Sequence, residues 1–495
     1  MAAPESRSRR GDLRVSGQSQ ASAGQAGALR RTPVLKSALP LAFAAMLAGC
    51  GGAPAGSPAS ASVAARPSAP PAASTVAASA KPIAAASATA SPAPSKPAAS
   101  AAASTRPSPA KPGASAASPS PVTQTLAVPE AQMASSNLRP VNIAGHTINL
   151  PPGFTISLFA QNLRVPRFMA FDGSGNLAVA EDGANRVVLF KQQNGQLSAT
   201  PNPLITGLSD PTSVAFYQDW IYVAEDRQVA RYRYSNGSAA DRQVVIPNLP
   251  AAIDHHTRTA VFGPDGALYL SIGSPCNVCA ISDERYASIG RYNADGGGYS
   301  LFAKGLRNAV GLAFQPNSSV LWATVMGRDN LGDDTPWDLI TTIRQGADYG
   351  WPRCYNDRQR DPQFGTQAGC GDIALPEVGI QAHSAPLGLA FYTGNQFPAE
   401  YRGDMFVGLH GSWNRSVPTG YKVVNAHFDG GRIVTVKDFA TGWRPQGGGQ
   451  VVQTPRGLGA SGAWGRPVQP VVGPDGSLYL SDDFLGAIYR IAFSG

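Results

Sequence analysis

The hydrophobic pattern changes character near Val141. Downstream, short β-branched and aromatic runs alternate with Gly, Asn, Asp and Pro, and little 3.6-residue periodicity remains. Six segments share one design: an apolar strand ending in an aromatic residue or Val, a turn, then a second apolar strand. The first strands end at Phe171, Phe216, Phe262, Phe314, Phe391 and Val472. The third segment is the plainest, with Gly263-Pro264-Asp265-Gly266 joining Thr259–Phe262 to Leu268–Leu270. Spacings of about 45 to 80 residues suit four-stranded blades with insertions, so the pattern predicts an all-β, six-bladed β-propeller. The run from Ile143 to Ala160 is expected to supply the strand that closes the last blade.

Composition divides the 495 residues. Residues 51 to about 135 are nearly all Ala, Pro, Ser, Gly and Thr and cannot build a core. The expected organisation is a leader over 1–50, a disordered linker over 51–140 and a propeller over 141–495. The leader carries a basic segment, an apolar run at Ala38–Leu47 and the ending Leu47-Ala48-Gly49-Cys50. That ending resembles a bacterial lipobox, which implies export, cleavage before Cys50 and lipidation of its thiol. The chain would then be anchored to the cell envelope, with the proline-rich segment as a tether.

The net charge of +8 belongs to this region. Residues 1–135 hold twelve Lys/Arg and three Asp/Glu, leaving 28 and 29 for the remainder. The globular part is neutral and gives no argument for binding nucleic acid. Beyond Cys50, the even set Cys276, Cys279, Cys354 and Cys370 suits two disulfides in an oxidising compartment. Cys276-Asn277-Val278-Cys279 reads as a local disulfide rather than half a zinc site or a redox pair.

In a propeller the loop entering each first strand reaches one rim of the central channel. Aligning the six segments places Arg164, His255 and Arg307 in one column, and His256, Asn308 and Arg466 in the next. Arg167, Arg258 and His383 stand one or two positions away. Few carboxylates align with these arginines, which points to a small polyanionic ligand at the rim.

From about Gly153 to Phe493 the chain resembles the soluble PQQ-dependent sugar dehydrogenases, in particular their sorbosone dehydrogenase-like branch. The matching stretches are His255-His256-Thr257-Arg258-Thr259, Gly305–Phe314, Arg328–Asp334, Asp348-Tyr349-Gly350-Trp351-Pro352, His410–Arg415 and Gly465-Arg466-Pro467. The resemblance implies a propeller binding pyrroloquinoline quinone (PQQ) and calcium at the top of its channel. It implies oxidation of a sugar or sugar-derived aldehyde by hydride transfer, with electrons passed to a quinone or cytochrome. His255 matches the general base; Arg307, Asn308 and Arg466 match cofactor contacts, with Arg258 behind them. His383 stands where the glucose enzyme has a threonine, and His410 or Arg415 stands in for a cofactor-binding lysine. Calcium would take backbone oxygens at Gly327 and Arg328, with Asp329 beside them; Asp333-Asp334 either joins it or caps its loop. Two rival readings are a lactonase-type propeller hydrolase and a non-catalytic binding module.

Overall fold

The six predicted strand ends all terminate or nearly terminate the innermost strand of a sheet. These strands are Pro166–Phe171, Ser213–Tyr217, Arg258–Phe262, Asn308–Phe314, Pro386–Phe391 and Pro467–Val472. The computed structural model describes residues 125–495 apart from 129, 136, 252–253, 366–368, 446–449 and 456. Cys50, the leader and the segment to residue 124 lie outside the described residues. Each innermost strand pairs antiparallel with the strand that follows it, and the sheets form a six-bladed propeller. In blade 3 the Gly-Pro-Asp-Gly turn is built as read: Gly263 N–H donates to the Ala267 carbonyl, and Gly266 takes φ +74°.

Alternating apolar positions of neighbouring blades make the core. Between blades 1 and 2, Ala178, Val187 and Leu189 meet Val214, Ile221 and Val223, all buried. On the channel side Phe168, Val310, Leu387 and Val468 pack together from four different blades.

The long run before the first repeat divides into two parts. Phe154–Ala160 pairs antiparallel with Ala487–Phe493 and closes blade 6. The hairpin Arg139–Ile143/His146–Leu150 instead extends the outer edge of blade 5.

Described β structure also lies upstream of residue 141. Leu126–Val128 adds a parallel strand to Val378–Ile380 at the outer edge of blade 4, and Met133 behind it is completely buried. An edge strand draws its hydrogen bonds from its neighbour's backbone, so three residues suffice and composition barely registers them. Both expected disulfides are present, Cys276–Cys279 and Cys354–Cys370.

Candidate active site

The rim loops are held by carboxylates on the second strand of the blades. Glu181 Oε1 accepts the Arg164 N–H at 2.7 Å, Glu225 Oε2 the Ser209 N–H at 2.7 Å and Asp482 Oδ1 the Arg466 N–H at 2.9 Å. Asp338 does the same from a third strand, accepting from Gly327 and Ala385, both at 2.8 Å. The acid following each of two of these residues reaches the next blade's arginine. Asp226 pairs with Arg258 at 3.4 Å, and Asp483 pairs with Arg167.

Several of the arginines therefore have carboxylate partners although few carboxylates align with them. The partners sit on the preceding blade's second strand, outside the columns in which the first strands align. Arg307 likewise pairs with Asp329 at 2.8 Å, and Arg164 is exposed.

A cavity of about 720 Å³ opens where these loops converge. Of the expected site residues it is lined by His255, Arg307, Asn308, Gly327, Asp329, His383, His410 and Arg466, together with Arg167, Asp338, Trp413 and Asn414. Three expected residues are not among its lining.

Arg258 is fully buried beneath the loop, donating to the carbonyls of His255 and Pro250, both at 2.9 Å. It supports the His255 backbone and leaves the cavity to others. Arg415 turns to the Asp333 and Ala382 carbonyls and lines a different cavity. Arg328 pairs with Asp361 and also faces elsewhere. Asp333 accepts from the Ser416 N–H at 3.0 Å, and Asp334 pairs with Arg415 at 3.3 Å.

His255 is fixed at one nitrogen. Its Nδ1 lies 2.7 Å from the Ser274 carbonyl oxygen, an acceptor only, so Nδ1 carries the hydrogen and Nε2 keeps its lone pair. Burial, with Arg307 and Arg258 nearby, pushes the imidazole down to about 3 despite the Ser274 carbonyl, so it is neutral at ordinary pH. Gly273 makes room for this arrangement. A Cβ there would stand 2.6 Å from both Asn308 Oδ1 and His255 Cβ.

His410 is held from behind, its Nε2 2.8 Å from Asp483 Oδ1, while its carbonyl accepts from Arg466 Nε at 3.0 Å. Burial pushes His410 down to about 4. His383 Nε2 lies 2.9 Å from the Gly332 carbonyl oxygen. Asp338, which sequence reasoning missed, is pushed up to about 6 by burial. Its signal was an isolated acid opening a third strand, which no first-strand register detects.

A guanidinium has five N–H groups. Arg307 commits four, to Asn277 O, Gly327 O, Asn277 Oδ1 and Asp329 Oδ2. Arg466 commits four, to His410 O, Thr454 Oγ1, Leu458 O and Gly411 O. Arg167 commits two, to Asp483 and Thr257, and its buried Nε has no partner among the described residues. Among the described residues five N–H groups therefore remain without a partner, three of them on Arg167. Asn308 Oδ1 and Asn414 Oδ1 are also buried with no partner among the described residues. These donors and acceptors suit a planar ligand bearing carboxylates and carbonyls, as PQQ does.

At the expected calcium position the side chains already have protein partners. Both Asp329 oxygens are engaged, by Arg307 and Asn414, and the Arg328 guanidinium is bound to Asp361. The backbone carbonyl oxygens of Gly327 and Arg328 remain. They are hard donors of the kind calcium accepts, the former sharing one lone pair with Arg307.

Comparison with known proteins agrees with this architecture. The profile of the TrAA12-like family matches residues 148–493. An uncharacterized protein of Borreliella burgdorferi is 26% identical over 366 residues, covering 70% of this chain and 91% of the relative. A pyrroloquinoline quinone-dependent sugar dehydrogenase of Hypocrea jecorina is 27% identical over 267 residues, covering 46% of this chain and 60% of the relative. Among solved structures, the holo PQQ domain of the Coprinopsis cinerea pyranose dehydrogenase superposes with a TM-score of 0.60 at 20% identity, covering 71% of this chain and 98% of that one. That likeness is one of fold. The profile match spans well over half of the 495 residues, and the chain belongs to the TrAA12-like family.

Proposed function

We propose that this chain is a PQQ-dependent sugar dehydrogenase whose site is the rim cavity. The observation that carries the reading is a neutral, tautomer-fixed imidazole beside three arginines that still hold five free N–H groups. The cofactor named for the Hypocrea relative and the Coprinopsis neighbour supports the same reading.

Arg167, Arg307, Asn308 and Arg466 would hold the cofactor, and the carbonyls of Gly327 and Arg328 a calcium ion. When bound, these groups supply a hydride-accepting ortho-quinone and a positive charge beside it. His255 Nε2 accepts the proton of the substrate hydroxyl or hydrated aldehyde, while Nδ1–H stays on the Ser274 carbonyl and keeps the ring aimed. Arg258 holds the His255 carbonyl so that the ring does not drift. A sugar or a sorbosone-type aldehyde is the substrate class. Quinones and cytochromes are the acceptor classes.

A lactonase-type hydrolase is disfavoured because the cavity carboxylates Asp254, Asp329 and Asp338 are not gathered into a group that could hold a metal ion among the described residues.

The test adds PQQ, with and without calcium, to purified protein and follows dye reduction with aldoses, osones and polyols. Binding with turnover is expected, and His255→Ala should retain binding while losing turnover. No spectral change on adding PQQ would sink the cofactor, and full turnover by His255→Ala the base. Export and lipid anchoring through Cys50 form a separate part of the proposal. It is checked by detergent partitioning and mass spectrometry of the wild-type and Cys50→Ser proteins.

A further inference from the structure

The loop closed by Cys276–Cys279 bears on the cavity through one residue. Asn277 lies between the two cysteines and lines the cavity wall. Its carbonyl oxygen accepts from Arg307 Nε at 2.9 Å and from Trp351 Nε1 at 3.3 Å. Its side-chain oxygen accepts from Arg307 at 3.0 Å and from the Asp329 N–H at 2.7 Å, and its Nδ2 donates to the Asp329 carbonyl at 3.2 Å. Asn277 thus takes two of the four N–H groups that Arg307 commits and both backbone polar groups of Asp329. The same loop reaches the base: Ser274, whose carbonyl fixes His255, donates its hydroxyl hydrogen to the Cys276 carbonyl at 2.6 Å.

A short surface loop with these duties needs a restraint of its own. Four residues that make no strand would otherwise sample many conformations, in which the two Asn277 hydrogen bonds to Arg307 would not hold together. The disulfide supplies that restraint locally, across three positions, where it closes no large loop and adds little to global stability.

We infer that Asn277, held by the Cys276–Cys279 bridge, is a positioning residue for the cofactor site. It orients Arg307 and the Gly327–Asp329 backbone, and does not itself react. The inference rests on the PQQ reading for the identity of the ligand, but its effect on Arg307 does not.

The experiment therefore has two arms. Phenylglyoxal labelling followed by peptide mass spectrometry reads the accessibility of Arg307 without any cofactor, with exposed Arg139 as internal reference. Fluorescence titration with PQQ reads affinity. Asn277→Ala and the double variant Cys276→Ser/Cys279→Ser should each label Arg307 about tenfold faster than wild type and bind PQQ about tenfold more weakly. Val278→Ala, in the same loop, should do neither.

If the double variant fails to fold, Asn277→Ala alone decides. Unchanged labelling of Arg307 in Asn277→Ala overturns the inference. So does faster labelling with unaltered PQQ affinity. Failure of the wild-type protein to bind PQQ, with labelling still faster in the variant, overturns the cofactor reading and leaves the positioning of Arg307 standing.

Discussion

Replacing Gly273 with alanine tests whether the base and the cofactor-contacting loops are packed as one unit. The new methyl group would meet Asn308 Oδ1 and His255 Cβ, each at 2.6 Å. Ordinary contact between carbon atoms begins at about 3.5 Å, so His255 must retreat by roughly 0.9 Å and Asn308 Oδ1 by somewhat less. Neither is free to do so cheaply. His255 is tied through Nδ1 to Ser274 and through its carbonyl to Arg258, and Asn308 begins the innermost strand of blade 4. Overpacking of this kind costs about 1–3 kcal/mol of stability. A misplacement near 1 Å at reacting groups costs about 100-fold in rate, or roughly 2.7 kcal/mol of activation free energy. Gly273→Ala should therefore lose about two orders of magnitude in kcat for dye reduction by PQQ-loaded protein, with a thermal midpoint lower by only a few degrees. Wild-type kcat in a folded Gly273→Ala protein would refute the claim that His255 and Asn308 are held in register.

Three further outcomes follow from the same geometry. Because the folded His255 is held near 3, below the ordinary imidazole value, it is a weaker base than free imidazole but stays unprotonated throughout the neutral and mildly acid range. The acid limb of kcat/KM should fall below pH 5, and a midpoint near 6.5 would remove His255 as the limiting base. Burial alone would raise the Asp483 carboxyl, but His410, Arg167 and Arg466 hold it below the usual range, so it contributes stability above its unfolded value that is lost as pH falls. Asp483→Asn should cost about 3–5 kcal/mol near pH 7 by urea unfolding, the gap to wild type closing below about pH 4; a pH-independent gap would contradict this. A chain beginning at Leu138 loses the buried side chains of Val128 and Met133, so it should be about 3–6 kcal/mol less stable than one beginning at Thr125. Equal thermal midpoints would show that the added edge strand contributes nothing.

Most of the propeller was legible because each blade repeats a period-two strand pair ending in the same kind of residue. The chain cannot alter that pattern without exposing one face of a sheet. Edge additions were not legible. Leu126–Val128 and the Arg139–Leu150 hairpin join finished blades through backbone hydrogen bonds, which impose almost no side-chain pattern. In the site, His255, Arg307, Asn308, His383 and Arg466, which first-strand alignment places at one rim, line one cavity, together with His410, which the family resemblance supplied. It also gathered Arg258, which reaches inward and not upward, a distinction of side-chain direction that spacing does not encode. The acid pairs Glu181-Asp182, Glu225-Asp226 and Asp482-Asp483 recur visibly in the sequence at the ends of second strands. Aligning those strands as well would have exposed the partners of Arg258 and Arg167.

Those acid pairs change what the ring of arginines means. A set of arginines without carboxylates would demand an anion to be stable at all. A set already paired with acids and carbonyls is part of the scaffold, and its capacity for a ligand is measured by the N–H groups left over. By that measure Arg167 stands above the others. It keeps three N–H groups against one each on Arg307 and Arg466, and its buried Nε has no partner among the described residues. Arg307 and Arg466 are rigid, each locked by four hydrogen bonds, and present a single donor in a fixed direction. The site thus divides the work between two locked arginines that set position and one less committed arginine that supplies most of the remaining donors. Arg167→Lys would keep the charge opposite Asp483 but lose the planar fork, so it should weaken cofactor binding while sparing stability. Arg466→Lys would strip several carbonyls of their donor at once and should lower both. Equal losses of binding and stability in the two variants would show that the leftover N–H groups are not what a ligand uses.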